Sequence, residues 1–161
     1  MKTPFLFPNQ LKKIGWILFV PSFMFTILTT LNDWNIDEYF KAKVFAIYTD
    51  ELFQESNNRF FQIIENSIVD EILTYTLIIG GLLICFSKLK NEDEYISKIR
   101  YESLVWSTYV NYGLILFFTT FIYGITFLNV LFYNTFTLLL FFSIRFHYMI
   151  YKLNKASKDD E

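Results

Sequence analysis

The chain has 161 residues, of which 53% are hydrophobic and 21% are aromatic, and it contains 20 Phe and 11 Tyr but only 5 Gly and 3 Pro. This composition is more apolar than that of a typical soluble domain, whose apolar share is about 45–50% with Gly included, and the length fits one membrane domain, residues 1–161. The net charge of −2 does not indicate a nucleic-acid partner, and the single cysteine, Cys85, excludes an internal disulfide and a cysteine-based zinc site.

Four apolar segments are long enough to cross a bilayer as helices, which takes about 17–25 residues each. They lie at residues 14–31, 72–89, 104–123 and 126–148. Because lipid offers no water to backbone polar groups, spans of this length must be helical. The first segment exceeds the core of a signal peptide, which is about 7–15 residues, so we interpret it as an anchor. The predicted fold is an all-α membrane protein, an antiparallel four-helix transmembrane bundle.

The segment between the first two spans, residues 32–71, contains two stretches that predict local structure. Aromatic and β-branched residues at positions 44–48 favour a short extended segment. The second stretch has apolar residues at the spacing of an α-helix, namely Phe60, Phe61, Ile64 and Ile68. This spacing predicts an amphipathic helix that leads into the second span.

Two glycines, Gly80 and Gly81, lie in the middle of the second span. Small residues at such positions let neighbouring helices approach closely, so the favoured interpretation is helix packing. The GxxxG spacing of a dimerisation motif is missing.

Residues 90–106, KNEDEYISKIRYESLVW, place a dense set of charges between the second and third spans. Asn91 fits an N-cap, with Glu94 three residues later as in a capping box. The pattern predicts one helix over residues 92–121, whose first turns extend from the membrane on the cytoplasmic side. Its charged residues are predicted to dock a partner: Glu92, Asp93, Glu94, Lys98, Arg100 and Glu102.

A polar stripe follows on the third span, where Ser103, Ser107 and Asn111 recur every four residues. One interpretation is the lining of a substrate path. The other, which base rates favour, is hydrogen bonding between helices, worth about 0.6 kcal/mol on average.

Two residues near the inner end of the fourth span, Arg145 and His147, sit where side chains can reach the head groups. Together with Glu102, His147 offers a candidate pair for lipid-modifying chemistry. The sequence contains no phosphate-binding loop, HExxH motif or dinucleotide fingerprint. We therefore predict no catalytic residue, no metal site and no cofactor.

The Lys and Arg residues predict the orientation. Of these 14 residues, 11 lie before the first span, from Lys88 to Arg100, or from Arg145 onward, and three lie in residues 32–71 beside nine acidic residues. Cytoplasmic segments keep the Lys and Arg excess. We therefore predict a multi-pass protein of the bacterial inner membrane. Its N and C termini, loop 90–103 and tail 149–161 are cytoplasmic, and loop 32–71 lies outside.

Several stretches resemble small four-span inner-membrane proteins of Bacteroidota: VFAIYTDELF, IIENSIVDEIL, KNEDEYISKIRYESLVW and LFYNTFTLLLFFSIRF. The resemblance covers most of the chain. It implies the same topology and assigns neither an activity nor a catalytic residue.

Three functional hypotheses follow. The first is a non-enzymatic inner-membrane component that docks a cytoplasmic or membrane protein through residues 92–103. The alternative is a small transporter or pore subunit, working as a homo-oligomer, that uses the polar stripe. The third is a lipid-modifying enzyme. In each case the bilayer is the primary partner, and no nucleic acid is involved.

Overall fold

The computed structural model describes residues 5–32, 40–49, 59–90 and 92–159. The described part contains four helices and two strands: α1 (Asn9–Leu31), β1 (Lys41–Thr49), β2 (Arg59–Ser67), α2 (Val69–Phe86), α3 (Glu94–Phe121) and α4 (Ile125–Asp159). The protein is mostly helical, in agreement with the predicted fold class.

Four helices are long and apolar enough to cross a membrane: Asn9–Leu31, Val69–Phe86, Glu94–Phe121 and Ile125–Ala156. The prediction of four membrane helices is thus confirmed by length and composition. As predicted, α3 runs without interruption to Phe121. The fourth helix is longer than predicted, because α4 continues from the predicted span into residues 149–159 of the tail.

Residues 59–67 form a strand, so the prediction of an amphipathic helix there is wrong. Strand β2 pairs with β1 in an antiparallel hairpin, with Phe45 opposite Ile63 and Lys43 opposite Glu65. A spacing of four residues equals about one helical turn but also two strand repeats, so Phe60 and Ile64 satisfy both patterns. The complementary β1 strand and the β-favouring side chains decide between them.

The chain divides into two compact units, one formed by Met1–Pro21 and Leu77–Glu161 and the other by Ser22–Thr76. The core of the first unit is a cluster of buried residues: Cys85, Ile96, Ile99, Phe142 and Phe146. In the second unit, the hydroxyls of Ser22 and Thr76 form a hydrogen bond of 2.7 Å between α1 and α2.

Helices α3 and α4 are joined by only three residues, of which Gly124 has a φ of 75°. This left-handed conformation is readily available to glycine. Along the two helices, Trp106 contacts Phe141 edge-on at 6.4 Å, and Arg100 lies over the ring of Phe146. These contacts bring the first turns of α3 beside the later part of α4.

Candidate functional site

Arg100 lies about two turns into α3 and is only 5% exposed. Its Nη1 donates hydrogen bonds to the carbonyl oxygens of Cys85, at 2.7 Å, and Ser87, at 3.2 Å. Its Nη2 donates to both carboxylate oxygens of Glu92, each at 2.9 Å. The ring centroid of Phe146 lies 4.5 Å from Arg100 Cζ. The arginine therefore connects the end of α2, the start of α3 and the buried side of α4.

Arg100 donates hydrogen bonds to carbonyl groups at the end of α2 that have no acceptor role within the helix. The last carbonyls of a helix have no partner inside it and carry partial negative charge, so a guanidinium is a favourable neighbour for Cys85 and Ser87. Glu92 balances this charge and also accepts a hydrogen bond from the backbone N–H of Leu89 at 2.8 Å. The result is a fixed geometry for the link between α2 and α3.

The segment that precedes α1 is attached to the same link. The backbone N–H of Phe7 donates to the carbonyl of Phe86, and that of Lys88 donates to the carbonyl of Phe7, both at 2.9 Å. In addition, Asn9 Nδ2 donates to the carbonyl of Lys88 at 2.7 Å. This pairing explains why α2 ends at Phe86 rather than at the predicted limit of residue 89.

The N-cap of α3 is Asp93, so the prediction that Asn91 has this role is wrong. Asp93 has extended backbone angles, and its Oδ1 accepts a hydrogen bond from the N–H of Ile96 at 2.7 Å. Asn91 itself lies outside the described residues. Because Glu92 faces Arg100, Glu92 belongs to the link, and the helix begins only at Glu94.

Replacing Asp93 with Ala should lower the free energy of unfolding by about 0.5–2 kcal/mol, because the N–H of Ile96 loses its acceptor. Asp93→Asn should cost much less, since Asn is an equally good N-cap. Thermal unfolding in detergent, followed by circular dichroism, measures both variants. Equal losses for Ala and Asn would show that the cap does not stabilise the helix.

The six predicted docking residues fall into two groups. Glu92, Asp93 and Arg100 are engaged by contacts inside the protein. Glu94, Lys98 and Glu102 are exposed, and Lys98 Nζ lies 4.0 Å from Glu102 Oε1, one helical turn away. The exposed side of this segment also carries Tyr95, which is 55% exposed, and Tyr101, which is 68% exposed.

An open cleft of about 350 Å³ lies between α3 and α4 and is here called the Glu102–Arg145 cleft. Its lining combines aromatic residues with two opposite charges: Tyr101, Glu102, Val105, Trp106, Tyr109 and Arg145. Arg145 Cζ lies 4.8 Å from the ring centroid of Trp106. The charged residues and the interfacial aromatic residues are each evident in the sequence. That Arg145 of α4 lies beside Trp106 and Glu102 of α3 depends on the register between the two helices, which the sequence does not show.

The polar stripe of α3 is buried. Ser103 is 1% exposed, and Ser107 and Asn111 are also buried. Ser107 Oγ donates to the carbonyl of Ser103 at 2.6 Å, within the same helix. In the part of the chain that the structure describes, Ser103 Oγ and Asn111 Oδ1 are buried without a hydrogen-bond partner. The stripe therefore faces the protein interior and retains unused hydrogen-bonding groups.

The two glycines of α2 lie against neighbouring helices. A Cβ added to Gly80 would meet the backbone N of Phe19 in α1 at 2.8 Å and the carbonyl of Gly15 at 3.0 Å. A Cβ on Gly81 would lie 3.0 Å from a methyl carbon of Leu139 in α4. Gly15, which the sequence analysis missed, forms the other half of the close α1–α2 approach. The sequence feature that could have indicated this role is a single glycine inside the apolar first span.

The candidate lipid-modifying pair is not brought together in the described residues. Glu102 lines the cleft beside Arg145, whereas His147, two residues further along α4, contacts the rings of Trp16 and Phe146. Helical residues two apart do not share a face. His147 Nδ1 lies 2.8 Å from the carbonyl of Ser143 in the preceding turn.

A second, smaller pocket of about 170 Å³ lies at the junction of the hairpin and α2, near Lys41, Glu65 and Asp70. Here Asn66 Nδ2 donates to Glu71 Oε1 at 2.9 Å, so part of the acidic cluster is bonded internally. Among the described residues, no group of three His, Cys, Asp or Glu residues could hold a metal ion.

The four long apolar helices are those of a multi-pass membrane protein. Comparison with protein-family models, with curated proteins and with solved structures found no match. The resemblance to four-span Bacteroidota proteins therefore stays a prediction.

Proposed function

We propose that this chain is a non-enzymatic component of the bacterial inner membrane that binds a protein partner through the exposed side of the first turns of α3. The division of charges in that segment carries the proposal. Glu92 and Arg100 are bonded internally, whereas Lys98 and Glu102 face outward beside Tyr95. The internal bonds fix the helix start, so the outward side chains are held on a rigid surface.

The proposed topology is an antiparallel four-helix bundle with both termini in the cytoplasm. The excess of Lys and Arg on the segments assigned to the inside supports it. The contacts of Arg100 with Phe146 and of Trp106 with Phe141 support it further, because residues early in α3 meet residues late in α4. In this orientation the docking side of α3 faces the cytoplasm.

The chemistry of the exposed side indicates the partner. It presents a basic and an acidic side chain one turn apart, with an exposed aromatic ring one turn before them. A protein helix with an acid opposite Lys98, a base opposite Glu102 and an apolar gap for Tyr95 is complementary to this pattern. Such a partner is recognised by the order of its charges rather than by net charge.

A charge exchange tests this proposal. In the double variant Lys98→Glu and Glu102→Lys, the pair within the helix persists in its more favourable order, so stability is retained while the outward pattern is reversed. With a photo-crosslinker at Tyr95, we expect a defined protein adduct in the parent chain and its loss in the exchanged chain. Lys155→Glu, an exposed change elsewhere on α4, is the control and should keep the adduct.

Persistence of the adduct in the exchanged chain would refute docking through this side of α3. Loss of the adduct in the Lys155→Glu control would also contradict the proposal, because partner binding would then depend on general charge.

A second candidate function, a small transporter or pore that works as a homo-oligomer, is favoured by one observation. Ser103 Oγ and Asn111 Oδ1 are buried without hydrogen-bond partners among the described residues, although buried polar atoms normally have one. Groups of this kind could line a hydrated path along α3.

Solute flux in liposomes tests the second candidate. It predicts flux that Asn111→Leu abolishes and that Ser107→Ala leaves intact, because the Ser107 hydroxyl is already bonded to its own helix. Absence of flux for a broad panel of ions and small solutes would exclude this function.

A further inference from the structure

We propose that the Glu102–Arg145 cleft binds the head group of a phospholipid that carries both a phosphate and a primary amine, as phosphatidylethanolamine does. This site shares Glu102 with the docking side of α3, but it does not require that the protein partner proposed above exists. It depends only on the chain being embedded in a bilayer.

The depth of the cleft fits a head group. Glu102 lies 19 residues before the end of α3, and Arg145 lies 20 residues after the start of α4. At about 1.5 Å per residue, both lie about 30 Å from the turn between the helices, which is about the thickness of the hydrocarbon core. Both charges are thus placed at the same boundary of the membrane.

The charges of the cleft match the two ends of such a head group. Arg145 presents a guanidinium, whose planar donors suit phosphate oxygens, and Glu102 presents a carboxylate, which accepts hydrogen bonds from an ammonium. Within the part of the chain that the structure describes, neither is buried in a closed ion pair. Arg145 stacks on Trp106 at 4.8 Å, and Glu102 lies 4.0 Å from the exposed Lys98. Both side chains can therefore reorient toward a ligand.

The rest of the lining fits the glycerol and acyl part of the lipid. From Glu102 toward the turn, Val105, Trp106 and Tyr109 continue the same cleft along α3. Tyr109 is 74% exposed, and Trp and Tyr prefer the interfacial region of a bilayer. The cleft thus changes from charged to aromatic and apolar in the direction in which a lipid enters the bilayer.

Native mass spectrometry of the full chain in mild detergent, with equal amounts of phosphatidylethanolamine and phosphatidylglycerol, tests the proposal. We expect retention of the amine-bearing lipid over the glycerol lipid by about ten-fold, because only the amine gives Glu102 a charge-assisted bond. In Glu102→Gln the ratio should fall to about one. Arg145→Gln should lose both lipids, whereas Lys155→Gln, outside the cleft, should behave as the parent chain.

Equal retention of the two lipids by the parent chain would overturn the proposal, and so would an unchanged ratio in Glu102→Gln. Because Glu102 is exposed, Glu102→Gln should fold. The ratio of the two retained lipids can therefore be measured in Glu102→Gln even if Arg145→Gln is unstable. The exchanged docking variant changes Glu102 as well, so Lys98→Glu alone separates the two sites. It should weaken the protein adduct while the amine-bearing lipid is still retained in preference to the glycerol lipid, because Glu102 and Arg145 are both present.

Discussion

Replacing Arg100 with Met should lower the free energy of unfolding by about 3–5 kcal/mol, because it leaves the carboxylate of Glu92 and the carbonyls of Cys85 and Ser87 without their donor. The length and most of the apolar volume of the side chain are retained, so packing against Phe146 is largely preserved. The effect should be visible as a shift of the unfolding midpoint in mixed micelles with increasing sodium dodecyl sulfate.

Two controls isolate the buried ion pair. Lys98→Met removes one positive charge from the exposed side of the same helix and should change stability by no more than about 0.5 kcal/mol. Adding Glu92→Gln to Arg100→Met should recover part of the loss, since no unpaired carboxylate remains near the core. A small effect of Arg100→Met, equal to that of Lys98→Met, would show that the network does not hold the link between α2 and α3.

The second large effect is expected at the close approach of α1 and α2. Gly80→Ala should destabilise the protein by about 1–3 kcal/mol, because the new methyl group meets the backbone of Phe19 and Gly15 and the helices must separate. The atoms that the methyl group would meet belong to the helix backbone, which cannot move aside as the end of a flexible side chain can. The same unfolding assay in mixed micelles measures the change.

Gly113→Ala is the matched control, since no atom of the described residues lies within 4 Å of a Cβ added there. Because Ala has the higher helix propensity, the control should be neutral or stabilising by up to about 1 kcal/mol. Equal effects at the two glycines would contradict the close approach.

The sequence predicts the four helices well because their length and apolar character follow from the thickness of the membrane. It predicts their ends less well, because contacts with distant segments decide them. Helix α2 stops at Phe86 since the next residues pair with Phe7, and α3 starts at Glu94 since Glu92 turns to Arg100. Neither the pairing with Phe7 nor the contact of Glu92 with Arg100 can be predicted from a local pattern.

The burial of Arg100 shows why the candidate site was only partly predictable. In the sequence it is one of seven charged residues in 90–106, and all of these except Lys90 were assigned to a docking surface. Its position on the helix is a weak indication that it is buried. Arg100 shares the buried face with Ile96, Ile99 and Ser103, at spacings of three and four residues. An arginine in such a stripe either has internal partners or is unstable, but the partners themselves come from α2 and α4.

The hairpin was predicted only in part, because the extended segment at residues 44–48 lies in β1 but its partner strand was predicted as a helix. A strand needs a partner, and the complementarity of residues 41–49 with 59–67 appears only when the two segments are aligned in antiparallel register. Each segment alone fits more than one structure, since apolar residues four apart satisfy both helix and strand periods.

Cysteine labelling tests the central claim, that the bilayer surrounds this chain and that Lys and Arg residues set its orientation. In a Cys85→Ser background, Lys43→Cys places a thiol in β1, and Lys155→Cys places one near the end of α4. With a membrane-impermeant maleimide applied to cells whose outer membrane is permeabilised, we expect position 43 to be labelled and position 155 to react only after the inner membrane is broken. Labelling of position 155 in cells with an intact inner membrane, or recovery of the chain in the soluble fraction without detergent, would contradict the account.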